Sequence, residues 1–339
     1  MKAIILLSGG LDSTIAAELI NREGLELFAV NFKTPFCLCD RRSSNIGCGS
    51  NARRVADTLG IELKVINATD DFLQVLRNPK HGYGANMNPC IDCRILFFKK
   101  SKELMEEMGA SFVITGEVLG QRPMSQFRQQ MDLIEKEAGL DGLVVRPLSA
   151  RLLPPTVPEK MGWIIRERML NISGRSRKPQ ITLAKKLGIK DYPCAAGGCL
   201  LTDPEFARRI KDLVKHNELD IPNINLLKWG RYFRLSKDAK VIVGRNENDN
   251  KMLTILAMDG DYLFGPTTIN GPVAVGRGQF TPDLIEDACR AVARYCDRNG
   301  EKEAYITYRR LPESKEISVK TAFLEDDQLA KLRVSVITT

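Results

Sequence analysis

Ser8-Gly9-Gly10-Leu11-Asp12-Ser13-Thr14 puts two glycines, three hydroxyls and a carboxylate into seven consecutive residues. Glycines let a backbone approach an anion, and the N–H groups at a helix start face it. Ser8, Gly9, Gly10, Asp12, Ser13 and Thr14 are therefore the expected nucleotide-binding residues, with Asp12 suited to a magnesium ion beside the phosphates. No Gly-Lys-Ser/Thr of the Walker type is present, so transfer of the terminal phosphate is not the expected chemistry. A second constellation is Asn88-Pro89-Cys90-Ile91-Asp92-Cys93-Arg94. Asn88 suits a helix N-cap and Pro89 the first helical position, which sets Cys90 and Cys93 on one face of the first turn. The positive helix end, with Arg94 beside it, is expected to favour thiolates. Such a pair can share a metal or cluster, act as a redox couple, or simply be buried. Cys37, Cys39 and Cys48 form a C-x-C-x8-C set that either binds zinc, with His81 as a fourth ligand, or stays as reduced loop thiols. Cys289 and Cys296, seven residues apart, read as core.

The elements that must hold these residues follow from the pattern of apolar runs. Lys2–Leu7, Leu25–Phe32, Leu63–Ala68 and Ser111–Gly116 read as strands; Asp12–Arg22, Asn51–Leu59 and Ile91–Met108, stopped by Gly109, read as helices. This alternation predicts a parallel sheet covered on both faces, with ligands beyond the carboxyl ends of its strands. After about residue 200 the rhythm changes. Asp203-Pro204-Glu205 opens a helix, and short strands at Lys228–Leu235, Lys240–Gly244, Val273–Gly276, Ala304–Arg309 and Glu316–Thr321 surround a helix over Pro282–Arg298. The expected architecture is an α/β domain over 1–203 and a smaller α+β domain over 204–339.

With 339 residues, 43% hydrophobic and 27% charged, the chain has globular composition and no run long enough for a membrane helix. A cytoplasmic location is expected. Nine cysteines are too few for a disulfide scaffold and better suit metal binding, redox chemistry or sulfur transfer. Net charge is +8, and Arg146 to Lys190 alone holds 11 Lys or Arg against 2 Asp or Glu. That concentration points to a polyanion. Arg175, Arg177 and Lys178, set among small residues, suit phosphate contacts that position a nucleic acid without reading its sequence.

The first motif resembles the PP-loop of the ATP-pyrophosphatase superfamily, the adenine nucleotide alpha hydrolase-like fold. That resemblance implies ATP cleavage between the α and β phosphates and adenylation of a substrate oxygen. It also implies an adenine site near Asn31, at the end of the second strand. Thr115-Gly116-Glu117-Val118-Leu119-Gly120-Gln121 is similar to a loop of the tRNA 4-thiouridine synthetases, which implies nucleotide contacts at Gly116 and Gln121. The Asn-Pro-Cys-x-x-Cys segment resembles the tRNA 2-thiouridine synthetases, and a cysteine at its first position resembles their iron–sulfur branch. Cys199, within Gly197-Gly198-Cys199, matches the place of the second cysteine in both families better than Cys194 does. The resemblance therefore implies one of two sulfur routes. Cys90, Cys93 and Cys199 hold a [4Fe–4S] cluster, or Cys199 carries a persulfide that Cys90 resolves.

Tyr232 to Glu247, with Val243-Gly244-Arg245-Asn246 at its core, resembles the RNA-binding module of NFACT-type proteins and marks Arg245 as an RNA contact. Residues 204–339 hold 22 basic against 20 acidic side chains, so charge alone does not show binding there. The expected function is ATP-dependent tRNA uridine thiolation, with Asp12, Cys90 and Cys199 catalytic. The expected partners are tRNA and a sulfur donor, either inorganic sulfide or a cysteine desulfurase. The Thr-Gly-Glu loop favours 4-thiouridine at tRNA position 8; the alternatives are 2-thiouridine, a PP-loop ligase for a small molecule, and a non-catalytic RNA-binding adaptor. No THUMP-like extension is expected ahead of Met1, leaving tRNA docking to the C-terminal module.

Overall fold

The computed structural model describes residues 1–37, 48–189, 198–297 and 300–334. The chain divides into two compact units, Met1–Thr202 and Asp203–Thr339. In the first, β1 (Lys2–Leu6), α1 (Leu11–Asn21), β2 (Glu26–Lys33), α2 (Cys48–Leu59), β3 (Glu62–Asn67), α3 (Thr69–Arg77), α4 (Cys90–Met108), β4 (Phe112–Thr115), α5 (Arg128–Ala138), β5 (Val144–Val145), α6 (Val157–Lys160) and α7 (Lys178–Lys186) follow in order. The five strands form one parallel sheet in the order β3-β2-β1-β4-β5.

β1 lies at the centre and is apolar on both faces, as a covered parallel strand must be. Ala3, Ile5 and Leu7 pack with Ala17 and Ile20 of α1 and Ala52 and Ala56 of α2. Ile4 and Leu6 face the other way, onto Phe98 and Leu104 of α4 and Ile134 of α5. Chain order runs outward from β1 through β2 to β3, then restarts on β1's other side with β4. A topological switch point therefore lies between β1 and β4, the place where open α/β sheets bind ligands. Register aligns the strand ends there, because Leu6 sits opposite both Val30 and Thr115. The residues that follow each strand open onto one crevice.

The second unit contains α8 (Pro204–Lys215), α9 (Ile221–Leu226), β6 (Arg231–Ser236), β7 (Ala239–Val243), α10 (Glu247–Leu256), β8 (Tyr262–Pro266), β9 (Ala274–Gly278), α11 (Pro282–Ala293), β10 (Glu303–Arg310), β11 (Ile317–Ala322) and α12 (Asp326–Leu332). Its strands make one antiparallel sheet, β11-β10-β8-β9-β7-β6. Ala288, Cys289 and Val292 of α11 pack onto Phe233, Val241, Phe264 and Ile306. Asp203 caps α8 by accepting from the Phe206 N–H at 2.8 Å. Cys289 and Cys296 are buried as expected, although α11 ends at Ala293, short of Cys296. No helix among the described residues is long and apolar enough to cross a membrane.

Two local expectations are corrected. Pro89, not Asn88, is the N-cap of α4, and no side-chain bond caps it there. Asn88 instead bonds the Cys90 side chain. β8, α3, α5, α9 and α10 lie in segments the apolar pattern left unassigned.

Candidate active site

A cleft of about 670 Å³ opens at the switch point, and every residue lining it belongs to the first unit. Its floor is the turn after β1. Gly9 adopts φ +73°, a left-handed conformation that favours glycine. Gly10 then caps α1 without any side-chain bond, which leaves the first helical N–H groups facing the cleft. Ser13 Oγ donates to the Gly10 carbonyl at 3.0 Å and lies 3.0 Å from Ser8 Oγ, so the two hydroxyls form one edge of the turn. Thr14 departs from expectation: its hydroxyl donates back to the Gly10 carbonyl at 3.0 Å, and Thr14 does not line the cleft.

Gly116, the first residue after β4, closes the far side. A Cβ there would lie 2.5 Å from Ser13 N and 2.6 Å from Asp12 C, so only glycine lets β4 and α1 approach so closely. Asn31 lines the cleft too, but its side-chain amide donates to the Leu7 carbonyl at 2.8 Å and ties β2 to the β1 turn. Next to it, Phe32 stacks on Phe97 of α4 with ring centroids 4.7 Å apart, making an apolar wall.

Asp12 is the only acid on this floor. Gln121 Nε2 donates to its Oδ2 at 2.9 Å, and Arg177 Nη2 stands 3.8 Å from that same oxygen. Its Oδ1 is buried without a hydrogen-bond partner. Burial holds its pKa above 3.8 despite Gln121, Arg177 and Arg122. An orphaned carboxylate oxygen beside a phosphate-type turn fits one ligand of a magnesium ion, which ordinarily takes one or two carboxylates plus phosphates and water. Gln121, expected to touch nucleotide, does not line the cleft; its bond is to Asp12.

Three arginines, Arg94, Arg122 and Arg177, line the same cleft. Burial, with Arg94 and Arg177 close by, presses the Arg122 pKa down from 12.5. Guanidiniums stay charged even so, and crowding of this kind is relieved by an anion. Arg177 was expected on an RNA-facing surface; it points into the cleft with its side chain 20% exposed.

Glu117 anchors this wall. Arg94 Nε approaches its Oε1 at 3.2 Å, Arg146 Nε donates to its Oε2 at 3.0 Å, and Arg146 also pairs with Glu135. Burial alone would raise the Glu117 pKa, yet Arg94 and Arg146 overcome it and hold the carboxyl below 4.5. Glu117 and Arg122 are site residues that sequence reasoning left without a role, although Glu117 lies within the Gly116–Gln121 motif and Arg122 directly follows it; Arg94, expected to favour thiolates, pairs with Glu117 instead.

Cys37, Cys90, Cys93 and Cys199 all line the cleft. The expectation of thiolates at the α4 start is corrected. Burial raises Cys90 despite Arg122 and Arg94, and pushes Cys93 and Cys199 up to about 12. Desolvation exceeds the helix-end field because the thiols sit in the wall of the cleft rather than at a wet helix end. Among the described residues, no three His, Cys, Asp or Glu side chains stand as a group able to hold a metal ion. His81 Nε2 faces Glu137 at 3.1 Å rather than Cys37. Cys39, Cys194 and the Cys48 side chain lie outside the described residues.

The basic stretch is thinner than its count. Arg146 is buried, Arg166 pairs with Glu159 at 2.6 Å and Arg168 with Glu23 at 3.4 Å. Arg151, Lys160, Arg175, Lys178, Lys185 and Lys186 are exposed, and Lys190 lies outside the described residues. In the second unit, Arg245 Nε donates to Asp249 at 2.6 Å, and Asn246 caps α10 through the Asp249 N–H at 2.9 Å. A Cβ on Gly244 would lie 2.0 Å from Asn250 Oδ1. The Val-Gly-Arg-Asn core thus builds the β7–α10 turn, and Arg245 is an intra-turn clamp.

The first unit has the parallel α/β fold expected of a PP-loop domain, with a glycine turn at its switch point. Residues 1–135 match the family described as tRNA methyl transferase HUP domain, and residues 230–333 match NFACT protein RNA binding domain. The chain is 32% identical over 124 residues to the tRNA-specific 2-thiouridylase MnmA of Clostridium acetobutylicum, covering 34% of this chain and 35% of that protein. It is 33% identical over 127 residues to the MnmA of Pseudothermotoga lettingae, covering 34% and 36%. The chain thus spans about a third of the length of the curated relatives it matches. Among solved structures, it is similar to the U34-tRNA thiolase NcsA from Methanococcus maripaludis with its [4Fe-4S] cluster. That likeness has 18% identity and a TM-score of 0.31, covering 67% of this chain and 70% of that one.

Proposed function

We propose that this chain thiolates a uridine of tRNA at the expense of ATP. The observation that carries the reading is one cleft containing both halves of that chemistry: a phosphate-type turn with three arginines, and thiols in the facing wall. The MnmA relatives are named 2-thiouridylases, which favours 2-thiouridine over the expected 4-thiouridine at position 8.

In this reading the Gly9–Gly10 turn and the N–H groups of α1 take the phosphates, with Ser8 and Ser13 alongside. Asp12 Oδ1 would hold magnesium, which when bound neutralises charge on the leaving pyrophosphate. Arg122 and Arg177 stabilise the charge that builds as the bond between the α and β phosphates breaks. The flipped uridine presents its carbonyl oxygen to the α phosphorus and becomes adenylated. Sulfur delivered from Cys199 then displaces AMP from the activated carbon.

The reading is tested by nucleoside analysis of tRNA from a strain lacking this gene, with ATP–pyrophosphate exchange on the purified protein as the companion assay. Loss of one 2-thiouridine derivative, restored by the intact gene, is expected. An unchanged thionucleoside profile together with tRNA-independent exchange would replace it with the small-molecule ligase. Absence of any exchange, with tRNA binding intact, would leave the adaptor.

A further inference from the structure

We propose that Cys37, rather than Cys90, is the thiol that frees sulfur from Cys199. The inference rests on the thiolation reading above. Nothing in the spacing of residues 37 and 199 links them, yet the chain brings them together as an isolated antiparallel β-bridge. Both sides of that bridge are pinned. Phe36 is buried against Phe72, with ring centroids 5.5 Å apart, and Leu200 and Leu201 are fully buried. The Leu200 N–H donates to the Phe36 carbonyl at 2.8 Å. This bond joins the neighbours of the two cysteines and not the cysteines themselves. That is the pattern of a non-hydrogen-bonded antiparallel pair, whose Cα atoms lie about 4.5 Å apart with side chains at their closest. The separation falls inside the roughly 4.4–6.8 Å range that a disulfide spans without backbone movement. Cys90, by contrast, sits on the first turn of α4 with its side chain bonded to Asn88.

The step balances as follows. A persulfide-bearing sulfurtransferase first loads Cys199 as Cys199–S–SH. Cys37 Sγ attacks Cys199 Sγ, and the bond to the outer sulfur breaks. That sulfur leaves with both electrons of the broken bond and takes the Cys37 proton, so the products are the Cys37–Cys199 disulfide and hydrogen sulfide. As hydrosulfide it attacks the adenylated carbon and expels AMP. An external dithiol then reduces the disulfide and resets both thiols.

Mass-spectrometric mapping of the full-length protein after diamide oxidation tests the pairing without any variant. A Cys37–Cys199 cross-link is expected as the dominant disulfide, retained in Cys90→Ser and lost in Cys37→Ser. A dominant Cys90–Cys199 link, or none at Cys37, overturns the proposal. In a second arm, protein loaded with polysulfide is mixed with tRNA and ATP, and released sulfide and thiolated uridine are both measured. Cys37→Ser, with its fold checked by circular dichroism, is expected to lower both at least 10-fold. Undiminished tRNA thiolation in that variant sinks the proposal and leaves the thiolase reading standing. Sulfide release that depends on Cys37, with no sulfur entering tRNA, sinks the thiolase reading and leaves the release step standing.

Discussion

Asp12 shows how one carboxylate can be costly to the fold and necessary to the site. Its pKa is held above 3.8 by burial, so its ionised form is disfavoured by folding and costs stability at neutral pH. Asp12→Asn is expected to raise the thermal unfolding midpoint while lowering ATP–pyrophosphate exchange at least ~100-fold. In the wild type, exchange should fall on acidification as Asp12 takes up a proton; an acid limb unchanged in a variant that retains exchange would contradict the assignment. Gly116→Ala drives a methyl group into the Ser13 backbone and should cost about 1–3 kcal/mol or more in a urea titration. Arg122→Ala and Arg177→Ala should each lower kcat/KM for ATP by about 10- to 100-fold, the range for hydrogen bonds to charged groups. Equal kcat/KM in wild type and variants would show that neither guanidinium meets the phosphates.

Glu117 works between elements: it ties α4 through Arg94 to β5 through Arg146, beside the β4 turn. Because the pair is buried, Glu117→Ala leaves Arg146 without a partner on that side and should cost about 3–5 kcal/mol. The sign of the pH dependence follows from a carboxyl held below 4.5. Its contribution to stability is present above 4.5 and lost as pH falls below it, so the acid limb of the stability curve should be steeper in wild type than in Glu117→Gln. These connections were only partly legible in the sequence. Strand–turn–helix order, the PP-loop-like turn and the α4 cysteines follow from local pattern, because glycine placement and apolar runs act over a few residues. The acidity of Cys90 and Cys93 was misjudged, because helix position is a local property whereas desolvation depends on everything packed around the turn.

Across the whole chain, the proposed function would place tRNA phosphates on the exposed basic residues of 146–190. Arg175→Ala and Lys178→Ala should each weaken tRNA binding and lower its salt slope by about 1, as loss of a phosphate contact does. Arg166→Ala, whose guanidinium is spent on Glu159, should leave that slope unchanged. Iron and acid-labile sulfide measured on anaerobically prepared protein bear on the sulfur route; a stoichiometric cluster lost in Cys90→Ala, Cys93→Ala and Cys199→Ala would favour the cluster over the persulfide.

Read alone, the residue order was enough for the parallel α/β domain, the glycine turn after β1 and the family resemblances, since each rests on neighbours within one or two turns or strands. It could not reveal that Gln121 and Arg177 converge on Asp12, that three arginines crowd one cleft, or that Cys37 meets Cys199. Those residues are separated by tens to more than a hundred positions. Their meeting depends on strand order about β1 and on loops packed by buried aromatic and leucine side chains, which chain folding alone brings about.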